Sequence, residues 1–280
     1  MKRVDLHTHS LASDGTFSPS DLVRLARASG LAALGLCDHD TVEGTAEFRR
    51  AGRELNFPVI AGTELSVEFH KTTHLLGLDL AGSGEQEPAL ADLQKFRDER
   101  NRRLHRKLEE LGLTFSWADL LEISGSGQLG RPHFARALIK AGYCRTIQEA
   151  FDRFLARGRP AYVPKIRPTP REALELLRKA GFAPVLAHPV SLKLPWDRWP
   201  EILPEWVDNG LAGLEVYHPD HGPGEIRFFS RLAAEFGLIV TAGSDYHGAN
   251  KRTPLTWVKD HSPVGPEVLE KLKSKFLGRP

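Results

Sequence analysis

Residues 4–10 read Val4-Asp5-Leu6-His7-Thr8-His9-Ser10. Residues 4–8 have the pattern of a short strand, and the two histidines stand two positions apart. On an extended chain, side chains at i and i+2 share a face, so both imidazoles point the same way. The arrangement recurs along the chain. Asp38 and His39 follow the apolar run 33–37, Glu64 follows 59–61, and His188 follows 185–187. His218 follows 214–217, and Asp245 and His247 follow 239–242. In a parallel barrel the carboxyl ends of the strands lie on one face, where barrel enzymes place their chemistry. His74 is the exception. It lies near the start of its run, before 75–80, and reaches the same centre only if that segment enters from a bend.

Between these runs the sequence reads as helix. Ser18-Pro19-Ser20-Asp21 is a helix start, with a capping serine and proline in the first turn. That helix carries Leu22, Leu25 and Ala26 on one face and stops at Gly30. Residues 31–37 form the next strand, and a helix covers about 42–55. Further strands fall at 59–61 and 73–80. The alternation predicts parallel βαβ units. It lapses after Leu80: residues 88–157 hold no convincing strand, and 89–111 is a long charged helix ending at Gly112. Helices at 133–141 and 146–156 complete a helical insertion over 82–165. The alternation resumes with a capped helix at 169–180, strands at 184–187, 213–217 and 238–241, and a last helix at 266–276. The expected organisation is a barrel domain from 1–81 and 166–280, interrupted by the insertion.

The bulk properties are ordinary for a soluble globular protein. The 280 residues are 41% hydrophobic and 26% charged, with a formal net charge of +2. So balanced a charge does not by itself predict a nucleic-acid partner. Cys37 and Cys144 are too few and too far apart for a disulfide framework or a thiolate zinc site, and they fit the reducing cytoplasm. The first residues show no apolar leader, and no stretch approaches the roughly 20 apolar residues that cross a bilayer.

Imidazole and carboxylate together suit zinc, manganese or iron, and several carboxylates can bridge paired ions. Each motif alone is weak: His7-Thr8-His9 can be a surface pair, and His188-Pro189 a turn. The whole set, each member after an apolar β-run, is strong, because buried charges need partners to offset desolvation.

The combination of residues 5–10, Ser13-Asp14-Gly15, Cys37-Asp38-His39-Asp40, Gly62-Thr63-Glu64, Ala187-His188-Pro189 and Gly243-Ser244-Asp245-Tyr246-His247 resembles the PHP (polymerase and histidinol phosphatase) family. The resemblance covers about 1–81 and 166–250. It implies a distorted (β/α)7 TIM-like barrel with two to three divalent ions, manganese foremost, and iron or zinc as alternatives. By position, one ion would take His7, His9, Glu64 and Asp245. A second would share Glu64 and take His74 and His188. A third would take Asp14, His39 and His247. Some relatives carry histidine at the Asp14 position, a departure that bears on the third ion. A short chain with an insertion between His74 and His188 looks like the subgroup acting on nucleotides, the nucleoside 3′,5′-bisphosphate phosphatases and RNase AM-type 5′→3′ exoribonucleases. Asn101-Arg102-Arg103, the run 130–135 and Tyr162-Val163-Pro164-Lys165 also resemble it.

The implied reaction is metal-assisted hydrolysis of a nucleotide phosphate ester. The substrate would be a nucleoside 3′,5′-bisphosphate or a short 5′-phosphorylated RNA. Glu64 and Asp245 would act through the ions, and His218 or bound water would protonate the leaving oxygen. Asn101, Arg102, Arg103, Arg131, His133, Lys165 and His218 are the candidate substrate contacts, since a guanidinium fork matches phosphate oxygens. Most cations of 95–107 read equally as a solvated helix face with pairs such as Glu99–Arg103. Arg131 and His133, just before a helix, read equally as contacts to an anionic group and as a cap and surface contact. Neither a membrane nor an obligatory protein partner is indicated. His70, His105, His221 and His261 read as surface residues, Cys37 as packing, and Trp196, Trp199 and Trp206 as parts of a proline-rich connection. Rival readings are a histidinol-phosphate-type phosphatase, a metal-dependent amidohydrolase, and a non-catalytic module binding RNA or a polymerase.

Overall fold

The computed structural model describes residues 2–82, 87–125, 129–164 and 167–278, with backbone alone at 87–97. Two compact units result: Met1–Leu90 with Arg167–Pro280, and Ala91–Ile166. The strands are β1 (Val4–Asp5), β2 (Ala33–Leu36), β3 (Val59–Val67), β4 (Thr73–Leu78), β5 (Ala183–Leu186), β6 (Gly213–Tyr217) and β7 (Ile239–Ala242). The helices in chain order are α1 (Pro19–Ala28), α2 (Thr45–Glu54), α3 (Glu87–Glu110), α4 (Trp117–Ser124), α5 (Arg131–Lys140), α6 (Ile147–Ala150), α7 (Pro170–Lys179), α8 (Trp199–Asp208), α9 (Pro223–Glu235), α10 (Trp257–His261) and α11 (Glu267–Leu277). Among the described residues no helix is long and apolar enough to cross a membrane.

In the first unit the seven strands pair in sequence order, β1 through β7. Past the ends of β7 and β1, Leu6 N–H donates to the Ala242 carbonyl (3.0 Å), Asp245 N–H to His7 (2.9 Å) and His9 N–H to Tyr246 (2.9 Å). These bonds nearly close a distorted (β/α)7 barrel. Covered on both faces, β2 is buried at all four positions, as a parallel strand between helices and barrel interior requires. α1 starts as its sequence dictates. Ser18 Oγ accepts from Asp21 N–H (3.1 Å), Pro19 occupies the first turn, and Gly30 leaves the helix at φ +73°. α7 has a full capping box, Glu172 N–H to Thr169 Oγ1 and Thr169 N–H to Glu172 Oε2.

One expected feature is corrected. The strands do not all alternate with helices: β3 and β4 form an antiparallel hairpin, pairing from Gly62↔Leu78 to Val67↔Thr73. The five residues between them are too few for a crossover helix. β4 also runs antiparallel to β5, whereas β1–β3 and β5–β7 are parallel sets. Reversal puts the start of β4 at the face where its neighbours end, so His74 reaches that face without a bend. β3 is also longer than the run 59–61. Its polar members Thr63, Glu64 and Ser66 are buried, so they broke the hydrophobic pattern while staying in the strand.

α4, α8, α9 and the short α10 were not anticipated. Prolines hid α8 and α9: Pro200 and Pro223 occupy first turns, where no N–H is needed, although Pro204 lies inside α8. Trp199 and Trp206 therefore belong to a helix and are buried, while Trp196 is half-exposed and stacks on Phe228. The second unit packs Leu104, Leu108, Leu120, Phe134, Leu138 and Leu155 into a core of its own.

Leu34 is fully buried in β2, so Leu34→Ala should cost about 2–5 kcal/mol, against about 1 kcal/mol for loss of the exposed cap in Thr169→Ala. Urea unfolding measures both, and equal losses would contradict this placement of the core.

Candidate metal centre

The barrel end brings together His7, His9, Glu64 and Asp245, all buried. His7 Nε2 lies 3.1 Å from His9 Nε2, 3.4 Å from Glu64 Oε2 and 3.5 Å from Asp245 Oδ1. His9 Nε2 lies 3.2 Å from Glu64 Oε2 and 3.1 Å from Asp245 Oδ1. The second Glu64 oxygen faces elsewhere: Oε1 is 2.6 Å from His74 Nδ1 and 2.9 Å from His188 Nε2. A third group gathers His9, Asp14, His39 and His247. There His247 Nε2 is 3.2 Å from Asp14 Oδ1, and His39 Nε2 is 3.7 Å from Asp14 Oδ2. His39 Nδ1 also stands 2.9 Å from Glu64 Oε2, which makes His39 a link between two groups.

The outward ring nitrogens fix the tautomers. A carbonyl can only accept, so His247 Nδ1 donates to the Asp245 carbonyl (2.7 Å), leaving the Nε2 lone pair toward Asp14. Ser191 Oγ donates to the Thr72 carbonyl and so accepts from His188 Nδ1 (2.8 Å), leaving Nε2 toward Glu64. His7 Nδ1 donates to Glu215 Oε1 (3.0 Å). Donation from the far nitrogen is how metal-ligating histidines are oriented. His218 is set the other way. Asp220 N–H donates to its Nδ1 (3.1 Å), which places the neutral ring's proton on Nε2, 3.6 Å from Asp245 Oδ2.

Three buried atoms at this end have no hydrogen bond: Glu64 Oε2, His9 Nδ1 and His218 Nε2. Unpartnered buried polar atoms cost free energy, and a nitrogen–oxygen donor set of this density fits divalent cations. The electrostatics agree. Burial raises the Glu64 and Asp245 carboxyls, but the surrounding imidazoles outweigh it and hold both well below the carboxylate range. Burial, reinforced by His39 and His188, lowers His74 to about 4, so its ring is neutral at pH 7. Burial also opposes protonation of His9, yet Asp245 and Glu64 win and raise it to about 9. In the free protein that proton stands where a cation would.

The backbone is strained at two of these positions: His188 has φ +26° and Asp245 φ +51°. Non-glycine residues with positive φ cluster at functional sites. Asp38 takes no part in the cluster, although it follows β2 as His39 does. It accepts from Ser10 N–H (2.7 Å), Ser10 Oγ (2.6 Å) and Ser13 Oγ (2.6 Å), and so holds the loop after β1. Cys37 is fully buried, and burial pushes its thiol well up, as a packing residue requires. His221 is corrected: it is buried, its Nδ1 donating to Val216 O (2.7 Å) with the ring 5.7 Å from His218. Two contributors went unnoticed in the sequence. Glu215 lies mid-strand, where it reads as one polar residue in an apolar run. Lys251, whose ammonium hydrogen-bonds Asp245 Oδ2, lies in a loop.

Other candidates lie in the helical unit. Asn101 is buried, with Nδ2 donating to Leu129 O (2.8 Å). Arg102 stacks over Trp117, Arg103 pairs with Glu99, and Arg131 lies over Phe151 and Tyr162 while donating to Leu155 O (3.4 Å). His133 Nδ1 accepts from Gly130 N–H (2.9 Å), the capping contact of α5. Lys165 lies outside the described residues.

In the metal-free protein His9 binds its proton more tightly folded (about 9) than in an open chain (6.5), so the stability this contributes is complete below pH 6.5 and lost as pH rises through 9. The urea midpoint of metal-free protein should fall over that window. Manganese at 100 times its Kd should raise stability by about 2.7 kcal/mol, and a midpoint indifferent to both pH and manganese would sink this reading.

Residues 5–156 match the family model described as PHP domain. The chain is 31% identical over 260 residues to a 5′-3′ exoribonuclease of Haemophilus influenzae, covering 92% of this chain and 93% of the relative. It is 29% identical to a 3′,5′-nucleoside bisphosphate phosphatase of Chromobacterium violaceum, covering 99% of each. Its fold matches a crystal structure from Bifidobacterium adolescentis, described as a candidate metal-dependent phosphoesterase, with TM-score 0.78, 29% identity and 99% of each chain covered. Family model, full-length relatives and barrel agree: this chain belongs to the PHP domain family.

Proposed function

We propose that the chain is a metal-dependent phosphoesterase that hydrolyses phosphate esters of nucleotides, with a nucleoside 3′,5′-bisphosphate or a short 5′-phosphorylated RNA as substrate. One observation carries the metal dependence. The single buried carboxylate of Glu64 meets His74 and His188 on one oxygen and His7, His9 and His39 on the other. A carboxylate divided in this way suits a bridge between ions. Under this reading His7, His9, Glu64 and Asp245 hold one ion, Glu64, His74 and His188 a second, and Asp14, His39 and His247 a third. Manganese is the favoured metal, and iron and zinc suit the same nitrogen–oxygen donors. The nucleotide substrate is supported by the two full-length relatives named for such reactions. Both cysteines are free and buried, which suits the reducing cytoplasm.

Divalent ions held there would polarise the phosphoryl group and provide a nucleophile at neutral pH. The chain's own groups do the rest. His218 presents its Nε2–H beside Asp245 and donates a hydrogen bond to the leaving ester oxygen as its bond to phosphorus breaks. Lys251, part-exposed beside the same carboxylate, holds a phosphate oxygen and offsets charge as it builds.

A substrate panel tests the reading: a nucleoside 3′,5′-bisphosphate, both monophosphates, histidinol phosphate and a 5′-phosphorylated RNA, each with manganese-loaded protein. Phosphate release selective for the bisphosphate, or stepwise loss of 5′ nucleotides, is the expected result. Turnover of histidinol phosphate alone would overturn the substrate class, and full activity in Asp245→Ala would overturn the site. Lys251→Ala should lower kcat/KM roughly 10- to 100-fold, the worth of one charge-assisted hydrogen bond. His218→Gln should lower kcat while manganese binding stays intact.

A further inference from the structure

Glu215 belongs to β6, is fully buried, and has no place in the ligand sets above. Its two oxygens serve two candidate ligands from two other strands. Oε1 accepts from His7 Nδ1 at 3.0 Å, and Oε2 accepts from the His188 backbone N–H at 2.7 Å. We infer that Glu215 is a positioning residue of the metal centre, fixing the His7 tautomer and the strained His188 backbone so that both Nε2 atoms face the ion sites.

Holding the proton on His7 Nδ1 is what frees Nε2, and Nε2 is the atom 3.1–3.5 Å from His9, Glu64 and Asp245. His188 sits at φ +26°, a conformation that persists only where surrounding bonds impose it, and its N–H is held by Glu215. Two donors converge on one side chain, so it must offer two acceptors. A carboxylate does; glutamine has one acceptor, and its amide NH₂ would meet either the His7 or the His188 donor. The Glu215 carboxylate supplies both acceptors, Oε1 to His7 Nδ1 and Oε2 to the His188 N–H. The neighbouring strand is shaped to admit it. A Cβ on Gly243 would lie 2.3 Å from Glu215 Oε1 and 2.3 Å from His7 Cβ, so only glycine fits there.

The inference rests on the proposed metal centre, and its test reads metal affinity rather than turnover. Manganese binding to metal-free protein is measured by competition with a chelating dye for wild type, Glu215→Gln, Gly243→Ala and Leu34→Ala, with Tm recorded for each. Glu215→Gln should weaken the tightest manganese site roughly 10- to 100-fold, the usual effect of losing a residue that orients a ligand. Gly243→Ala, which attacks the same contact from the other side, should move affinity the same way and serves if Glu215→Gln does not fold. Leu34→Ala, whose apolar side chain makes none of the ligands' hydrogen bonds, should keep its affinity within about twofold, because a core cavity costs stability without removing a contact that orients a ligand. Saturating manganese should restore most of the Glu215→Gln turnover, since every ligand is still present. Unchanged affinity in both site variants would overturn the inference while leaving the metal centre standing, as would affinity that tracks Tm across all three. A wild-type protein that binds no manganese would overturn both.

Discussion

A carboxylate sealed inside a barrel is costly, and the rest of this structure answers that cost at Glu64. Burying an ionised carboxylate costs several kcal/mol even after the protein relaxes around it. Five imidazoles converge on it, with His74 Nδ1 2.6 Å and His188 Nε2 2.9 Å from Oε1, yet Oε2 has no hydrogen bond. Imidazoles cannot complete the compensation alone, because crowding and burial keep His74 neutral at pH 7. A divalent cation held here would offset the imbalance, bringing positive charge to the carboxylates and meeting the lone pairs that His7, His188 and His247 present.

The backbone is arranged to deliver those groups. Reversal of β4 lets one strand hairpin supply both Glu64 and His74, with Ser66 opposite His74 across the ladder. The seam between β7 and β1 is closed by backbone bonds from residues within the ligand motifs themselves, Asp245 N–H to His7 O and His9 N–H to Tyr246 O. Barrel closure and site assembly are thus one event. The positive φ values at His188 and Asp245 belong to the same economy: hydrogen bonds of the closed barrel hold both N–H groups, which keeps unfavourable backbone where the ligands need it.

Much of the clustering was legible in the sequence because the candidate ligands are polar residues at the ends of apolar strands, and that contrast survives without coordinates. His7, His9, Glu64, His74, His188, Asp245 and His247 all come to one end of the barrel, and apart from β1 and β3 the strand runs fall close to their expected limits. What escaped did so for identifiable reasons. The hairpin at β3–β4 was hidden because period-2 patterning is the same for parallel and antiparallel strands. α8 and α9 were hidden by prolines that a first turn tolerates. Glu215 was invisible because its role depends on two partners 208 and 27 residues away. Asp38 and His39 are adjacent, and only geometry shows that one braces a loop while the other faces Glu64.

The account turns on Glu64 as the shared element of a multinuclear centre, and anomalous diffraction from crystals grown with manganese tests it most directly. The prediction is two or three anomalous peaks at the barrel end, two of them each within bonding distance of a different Glu64 oxygen. A single ion held without Glu64, or no peak among these histidines, would contradict it.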